Sequence, residues 1–120
     1  MNCSRVDHAA TTTLHIRGEL DALSAPDLRP TLDQVVDEER RDVVVNLTDL
    51  RMLDSSGVGA LVSLYKRVRA YGGLVTFTGV TAQPLVIFKL LRLDVVFGLA
   101  VEVPAAELEA APASIRVLRT

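Results

Sequence analysis

The feature that most constrains this chain is an apolar run at residues 43–47 that leads, through a short polar stretch, into a helical pattern. The run reads Val-Val-Val-Asn-Leu, and the helical spacing extends from Ser56 to Tyr71. A nearly continuous apolar run is typical of a strand in a parallel sheet that is covered on both faces. We therefore expect a buried strand that feeds the N-terminus of a helix, with Asp54-Ser55-Ser56-Gly57 at the exposed junction.

The N-terminal third of the chain follows the same alternation. Residues 11–17 alternate apolar and polar, which favours a half-buried strand, and residues 5–9 favour an edge strand that forms a hairpin with it. Ser24 is expected to cap a first helix, with Pro26 in its first turn.

The C-terminal half also alternates. After the helix stop at Gly72-Gly73, residues 74–78 favour a strand and Thr81 is expected to cap a third helix. Residues 95–97 or 99–103 would supply a last strand, and residues 104–111 a short helix. Strands that alternate with helices predict an α/β fold. We expect a mainly parallel sheet of four to five strands, with an antiparallel N-terminal edge strand and about four flanking helices.

Length and composition limit the classes of function. The 120 residues suit one domain, and the net charge of −2 argues against a general nucleic-acid binder, which needs a basic surplus. No apolar run reaches the roughly 18 residues of a membrane span, and the N-terminus lacks the apolar segment of a signal peptide. A cytoplasmic protein without a membrane partner is expected.

Catalytic motifs are incomplete. Ser55 and Ser56 are candidate nucleophiles, but Leu53 stands where a nucleophile elbow needs its first glycine. Of the candidate bases, His15 lies inside a strand pattern and His8 lies near the N-terminus, and nothing in their spacing supports a catalytic triad. Metal-ligand spacing and a phosphate-binding loop are also missing from the sequence. We expect no enzymatic activity, no metal site and no cofactor.

The junction Asp54-Ser55-Ser56-Gly57 admits two interpretations. Aspartate and serine cap helices and glycine eases tight turns, so the motif can be purely structural. Alternatively, Ser55 is the target of a kinase, because the N-terminus of a helix tolerates the added negative charge of a phosphate.

Several segments together resemble a known family. They are Gly18-Glu19-Leu20-Asp21 after a strand, residues 44–47, residues 53–59, residues 65–73 and the helical segment 84–93. The chain resembles a STAS domain, and more narrowly the bacterial anti-sigma factor antagonists, also called anti-anti-sigma factors. The likeness covers residues 5–111, which we take as the domain, and leaves 112–120 as a tail without a structural prediction.

The resemblance implies a switch by exchange of partners. In that family the unphosphorylated antagonist binds an anti-sigma factor, a serine kinase with a histidine-kinase-like fold, and so frees a sigma factor. The kinase phosphorylates the serine after the motif aspartate, here Ser55, and a PP2C-type phosphatase reverses the modification. ATP and Mg²⁺ belong to the kinase. The expected partner-binding residues share the ends of two strands and the start of a helix: Glu19, Leu20, Asp21, Met52, Asp54, Ser55, Ser56, Gly57 and Val58.

Two alternatives stay open. A STAS domain can serve as an interaction subunit of another signalling or lipid-transport complex, in which the serine is not used. It can also bind a small ligand or nucleotide, for which the Gly57-Val58-Gly59 turn at a helix N-terminus is the sequence feature in favour.

Overall fold

Five strands and four helices make up the part of the chain that the structure, a computed structural model, describes: residues 1–97, apart from the side chains of Asp94 and Val96. In chain order they are β1 (Asn2–His8), β2 (Thr11–Leu20), α1 (Ala25–Asp37), β3 (Asp42–Asn46), β4 (Leu50–Leu53), α2 (Ser55–Ala70), β5 (Leu74–Thr78), α3 (Ala82–Leu90) and α4 (Leu93–Val96).

The sheet confirms the predicted α/β class. Its strands follow the order β1-β2-β3-β5, and β4 pairs with the C-terminal end of β2. Strands β1 and β2 are antiparallel, and every other pair is parallel. Helices α1, α2 and α3 flank the sheet, and α4 is a single turn of four residues.

Alternation along the strands builds the core. In β2, Leu14 and Ile16 are fully buried, whereas His15 between them is partly exposed. Helices α1 and α2 bury their apolar stripes in the same cluster. Val44 and Asn46 of β3 are only half-buried, so the second face of this strand is less covered than its apolar sequence predicts.

Strand β4 occupies residues that the sequence predicts only as a short polar connection between the apolar run and the helix. Its partners are distant in sequence: Met52 lies beside Glu19 of β2, and the Gln83 side chain pairs with the backbone of Leu53. Gln83 Oε1 accepts the Leu53 N–H at 2.8 Å, and Nε2 donates to the Leu53 carbonyl at 3.0 Å. Contacts from two remote segments thus stabilise a strand of four residues.

Two predicted helix caps, Ser24 and Thr81, stand at the N-cap positions but make no side-chain cap hydrogen bond. The Ser24 side chain makes no cap hydrogen bond to α1, because its hydroxyl turns back to the Glu19 carbonyl at 2.9 Å. Thr81 precedes α3 in extended backbone conformation, but its side chain makes no cap hydrogen bond either.

The predicted strand at 95–97 is wrong. Residues Leu93–Val96 are helical, and the Phe97 ring stacks on Phe77 with 4.3 Å between ring centroids. That aromatic contact outweighs the β-propensity of neighbouring valines. The alternative strand at 99–103, the helix at 104–111 and the tail at 112–120 lie outside the described residues.

Candidate functional site

The ends of β2 and β4 lie side by side and form one corner of the molecule. Their final residues are neighbours in the sheet, with Leu20 beside Leu53. Because the two strands are parallel, the loop that follows β2 and the helix that follows β4 begin at the same edge. The structure therefore brings Asp21 of the loop and Ser55 of α2 to one surface.

Asp54 joins the loop to the helix. Its Oδ1 accepts hydrogen bonds from the backbone N–H groups of Ser56 at 2.9 Å and Gly57 at 3.0 Å, which caps α2. Its Oδ2 accepts the N–H of Ala22, in the loop after β2, at 3.2 Å. A single carboxylate therefore fixes the position of the loop relative to the helix.

The loop that follows β2 is also held by its own hydrogen bonds. Asp21 Oδ1 accepts the backbone N–H groups of Leu23 at 3.1 Å and Ser24 at 3.0 Å. Hydrogen bonds from the N–H and hydroxyl of Ser24 to this carboxylate lower the pKa of Asp21 below the usual aspartate value. At the tip of this ordered loop, the Leu23 side chain is 88% exposed.

Gly57 is required by close packing under the corner. A Cβ at this position would lie 2.5 Å from the Leu20 carbonyl oxygen and 2.6 Å from Cδ1 of Leu53. The first turn of α2 thus rests directly on the ends of both strands, and a side chain would push it away.

Ser55 is exposed as the first residue of α2. Asp54 alone supplies the side-chain cap of the helix, and the Ser55 hydroxyl takes no part in it. A group added to this oxygen would therefore disturb none of the hydrogen bonds that hold the corner.

The residues predicted to contact a partner are not equally accessible. Leu20 is fully buried, and Gly57 is buried as well, so both support the corner from beneath. For Leu20 this corrects the prediction of a partner contact: β2 continues past Gly18 and turns the leucine inward. The remaining residues are exposed (Glu19, Ser55 and Ser56) or half-buried (Asp21, Met52, Asp54 and Val58).

Sequence reasoning missed two features of this surface. One is Leu23, whose signal is an apolar residue within a short polar loop. The other is a groove of about 430 Å³ between α1 and α2 that opens next to the corner. Small residues line much of it, namely Ala22, Ala25, Ser56, Gly59, Ala60 and Ser63. Arg29 and Arg67 also line it.

The candidate base His15 is engaged elsewhere. Arg17 donates to its Nδ1 at 2.9 Å, so Nε2 carries the proton that is shared with Asp49 Oδ2 at 2.7 Å. Its two nitrogens are thus occupied by an arginine and a carboxylate, and the serine in this network, Ser4, is bonded to Arg17. His8 is an exposed residue of β1.

Within residues 1–97 no three His, Cys, Asp or Glu side chains are grouped so that they could hold a metal ion. No helix among the described elements has the length and hydropathy to cross a membrane.

Comparison with known families identifies the fold. The model of the STAS domain matches residues 3–106. The chain belongs to the STAS domain family. A curated relative of this STAS domain is the anti-sigma-B factor antagonist of Bacillus subtilis (strain 168), 31% identical over 77 residues, which are 64% of this chain and 70% of the relative. The chain spans 57% to 61% of the length of further curated antagonists that it matches.

Solved structures agree with this assignment. An anti-sigma factor antagonist from Mycobacterium paratuberculosis has a TM-score of 0.71 and 21% identity, covering 99% of this chain and 94% of that one. The Bacillus cell fate determinant SpoIIAA in its phosphorylated form has a TM-score of 0.69 and 18% identity, covering 97% of this chain and 99% of that one. At these identities the likeness shows a shared fold. The curated relatives, together with the family match, place the STAS domain with the anti-sigma factor antagonists.

Proposed function

We propose that the chain is an anti-sigma factor antagonist that binds a serine kinase when Ser55 is unphosphorylated and releases it when Ser55 is phosphorylated. The observation that carries the proposal is the Ser55 hydroxyl, which is exposed at the start of α2 and takes no part in the cap. The fold tolerates a phosphate there, since the positive end of the helix dipole favours negative charge.

The phosphate weakens the complex between the chain and the kinase. A phosphoserine adds a charge of about −1.5 to −2 and three acceptor oxygens. Placed in the middle of a protein interface, beside Asp54, this charge must lose water next to another negative charge. A penalty of about 3 kcal/mol weakens binding roughly a hundredfold, which is enough to exchange one partner for another.

The partners follow from this chemistry. The kinase, an anti-sigma factor with a histidine-kinase-like fold, supplies ATP and Mg²⁺, and a PP2C-type phosphatase restores the hydroxyl. The chain itself is a substrate and a binding partner, with no catalytic residue or cofactor of its own, and it acts in the cytoplasm. The names of its curated relatives, antagonists of anti-sigma factors, support this role, as does the existence of SpoIIAA in a phosphorylated form.

Phosphorylation by the kinase tests the proposal. We expect incubation with a histidine-kinase-like kinase from the same genome and ATP to add one phosphate, measured by intact mass. The Ser55→Ala variant should gain none, and the matched control Ser56→Ala should gain one. Phosphate on Ser56 or Thr48 of the wild-type chain would refute the choice of residue.

A charge mimic tests the release step. Ser55→Asp should bind the kinase at least tenfold more weakly than the wild type, and the uncharged control Ser55→Asn should bind nearly as well as the wild type. Ser55→Asn should unfold at the wild-type temperature because the hydroxyl has no structural role, and Ser55→Asp should unfold at that temperature or slightly above it because the helix dipole favours a negative charge there. Equal kinase affinity for both variants would refute the electrostatic explanation.

A further inference from the structure

We propose that Leu23 and the α1–α2 groove extend the docking surface, and that the groove receives an amphipathic helix of the kinase whose polar side is acidic. The inference rests on the proposed function, since the same kinase is the partner. It adds an apolar contact residue, Leu23, and a preference for an acidic partner helix to the docking surface around Ser55.

Leu23 has the properties of an anchor. Exposed leucines are common on proteins, but the loop that carries this one is ordered by hydrogen bonds. The Asp21 carboxylate accepts the N–H of Leu23, and the Asp54 carboxylate accepts the N–H of Ala22. A side chain presented by an ordered loop loses little conformational entropy when a partner covers it. At 88%, Leu23 has the highest exposure among the large hydrophobic residues that the structure describes, so its burial by a partner removes nearly the whole side chain from water.

The groove beside Leu23 can receive side chains from one face of a helix, since one of its walls is formed by small residues. It lies between two helices, and Ala22 belongs both to its lining and to the loop that presents Leu23. Its α2 wall is formed by Ser56, Gly59, Ala60 and Ser63, which are small and let another backbone approach closely. At Gly59 an added Cβ would meet nothing within 4 Å, so the wall is open to an incoming chain. Helices that enter grooves bind in this way, by an apolar face against a concave surface.

Charge indicates which helix fits. The Arg67 side chain pairs with Asp33 at 2.8 Å and so brings no net charge to the groove. Arg29, exposed on α1, makes no ion pair within residues 1–97, and therefore gives the groove a net positive charge. An acidic residue of the partner helix would complement it.

The same charge connects the groove to the switch. Ser56 lines the groove and Ser55 is the residue before it, so a phosphate on Ser55 would lie near the groove although Ser55 is not part of its lining. Like charges placed close together repel, and a phosphate at this position would repel an acidic helix lying in the groove. Release of the kinase then follows from repulsion between the partner and the phosphate as well as from desolvation.

Affinity of the purified chain for the kinase that phosphorylates it tests the inference. We expect Leu23→Ala to weaken binding about tenfold and Arg29→Glu to weaken it about tenfold, both measured by calorimetry at one salt concentration. The matched controls are Leu74→Ala, an exposed leucine at the opposite edge of the sheet, and Arg69→Glu, at the far end of α2. Both controls should bind like the wild type.

The outcomes separate this inference from the proposed function. If the kinase binds and phosphorylates the wild type but binds Leu23→Ala and Arg29→Glu with unchanged affinity, the groove inference is overturned and the proposed function survives. Tighter binding by Arg29→Glu would overturn the acidic character of the partner helix. If no kinase binds or modifies the wild type, both proposals fall. Thermal unfolding at the wild-type temperature verifies that the exposed substitutions leave the fold intact.

Discussion

Replacement of Gly57 by alanine tests whether the Ser55 corner depends on close packing. The backbone of Gly57 is helical, so alanine has no conformational strain there and would by propensity alone stabilise α2 by about 1 kcal/mol. Space forbids it, since the new Cβ would lie 2.5 Å from the Leu20 carbonyl oxygen, a backbone atom that cannot rotate away. Overpacking costs about 1–3 kcal/mol and sometimes more, and the second close contact, with Leu53, places this site at the upper end.

We expect Gly57→Ala to lower the free energy of unfolding by about 2 kcal/mol, which is the cost of overpacking less the gain in helix propensity. Urea denaturation measures this change, and Tm should fall by about 8 °C. Gly59→Ala is the matched control on the same helix, because its Cβ would meet nothing within 4 Å, and it should stabilise the chain by about 0.5–1 kcal/mol. A Gly57→Ala variant as stable as Gly59→Ala would refute the packing explanation.

Substitutions at three further positions probe the structure around the site and beyond it. Asp54→Ala removes the cap of α2 and should destabilise the chain by about 1–2 kcal/mol in urea denaturation; Asp54→Asn, which can still cap, should lose less. The pKa of Asp21 is lowered in the folded state, so its contribution to stability is complete above about pH 4 and is lost as the pH falls through the folded-state pKa. Unfolding measured from neutral pH into acid should therefore depend less on pH in Asp21→Asn, and an unchanged dependence would contradict that pKa shift. Gly79 has φ of +70° and its Cβ would clash with Thr48, so Gly79→Ala should cost about 2–3 kcal/mol by thermal denaturation, and a smaller loss would mean that the loop rearranges freely.

Much of the framework could be predicted because its signals are local. The apolar run at 43–47, the helical spacing from Ser56 and the glycine stop at 72–73 each specify one element through residues that are close in sequence. The corner could be predicted from the sequence as well, because the segments that follow parallel strands begin at the same edge of the sheet. The capping role of Asp54 also follows from its position directly before a helix.

The predictions fail where contacts between residues that are distant in sequence determine the structure. Strand β4 exists through pairing with Glu19 and Leu20 of β2 and with the side chain of Gln83, and no local pattern shows those contacts. The glycine at position 18 suggested that β2 had ended, yet with φ of +87° it continues the strand through a bulge. The alternation of Leu14 and Ile16 therefore continues to Leu20, which becomes part of the core instead of the surface.

The groove and Leu23 were missed for a different reason. A groove depends on how two helices approach each other, and Ala25 and Ala60 are ordinary helix residues in the sequence. The exposure of Leu23 depends on a loop conformation that Asp54, thirty-one positions later, helps to set. Neither property belongs to a single segment of the chain.

The double attachment of Asp54 has a consequence for how the surface can evolve. Because one carboxylate both starts α2 and anchors the neighbouring loop, any change at this position alters folding and presentation together. Ser55 and Leu23 have no such double structural role, since both residues are exposed and neither takes part in the cap. Substitutions at Ser55 or Leu23 can therefore change the surface that the chain presents, whereas Asp54 must stay if the loop and the helix are to keep their relative position.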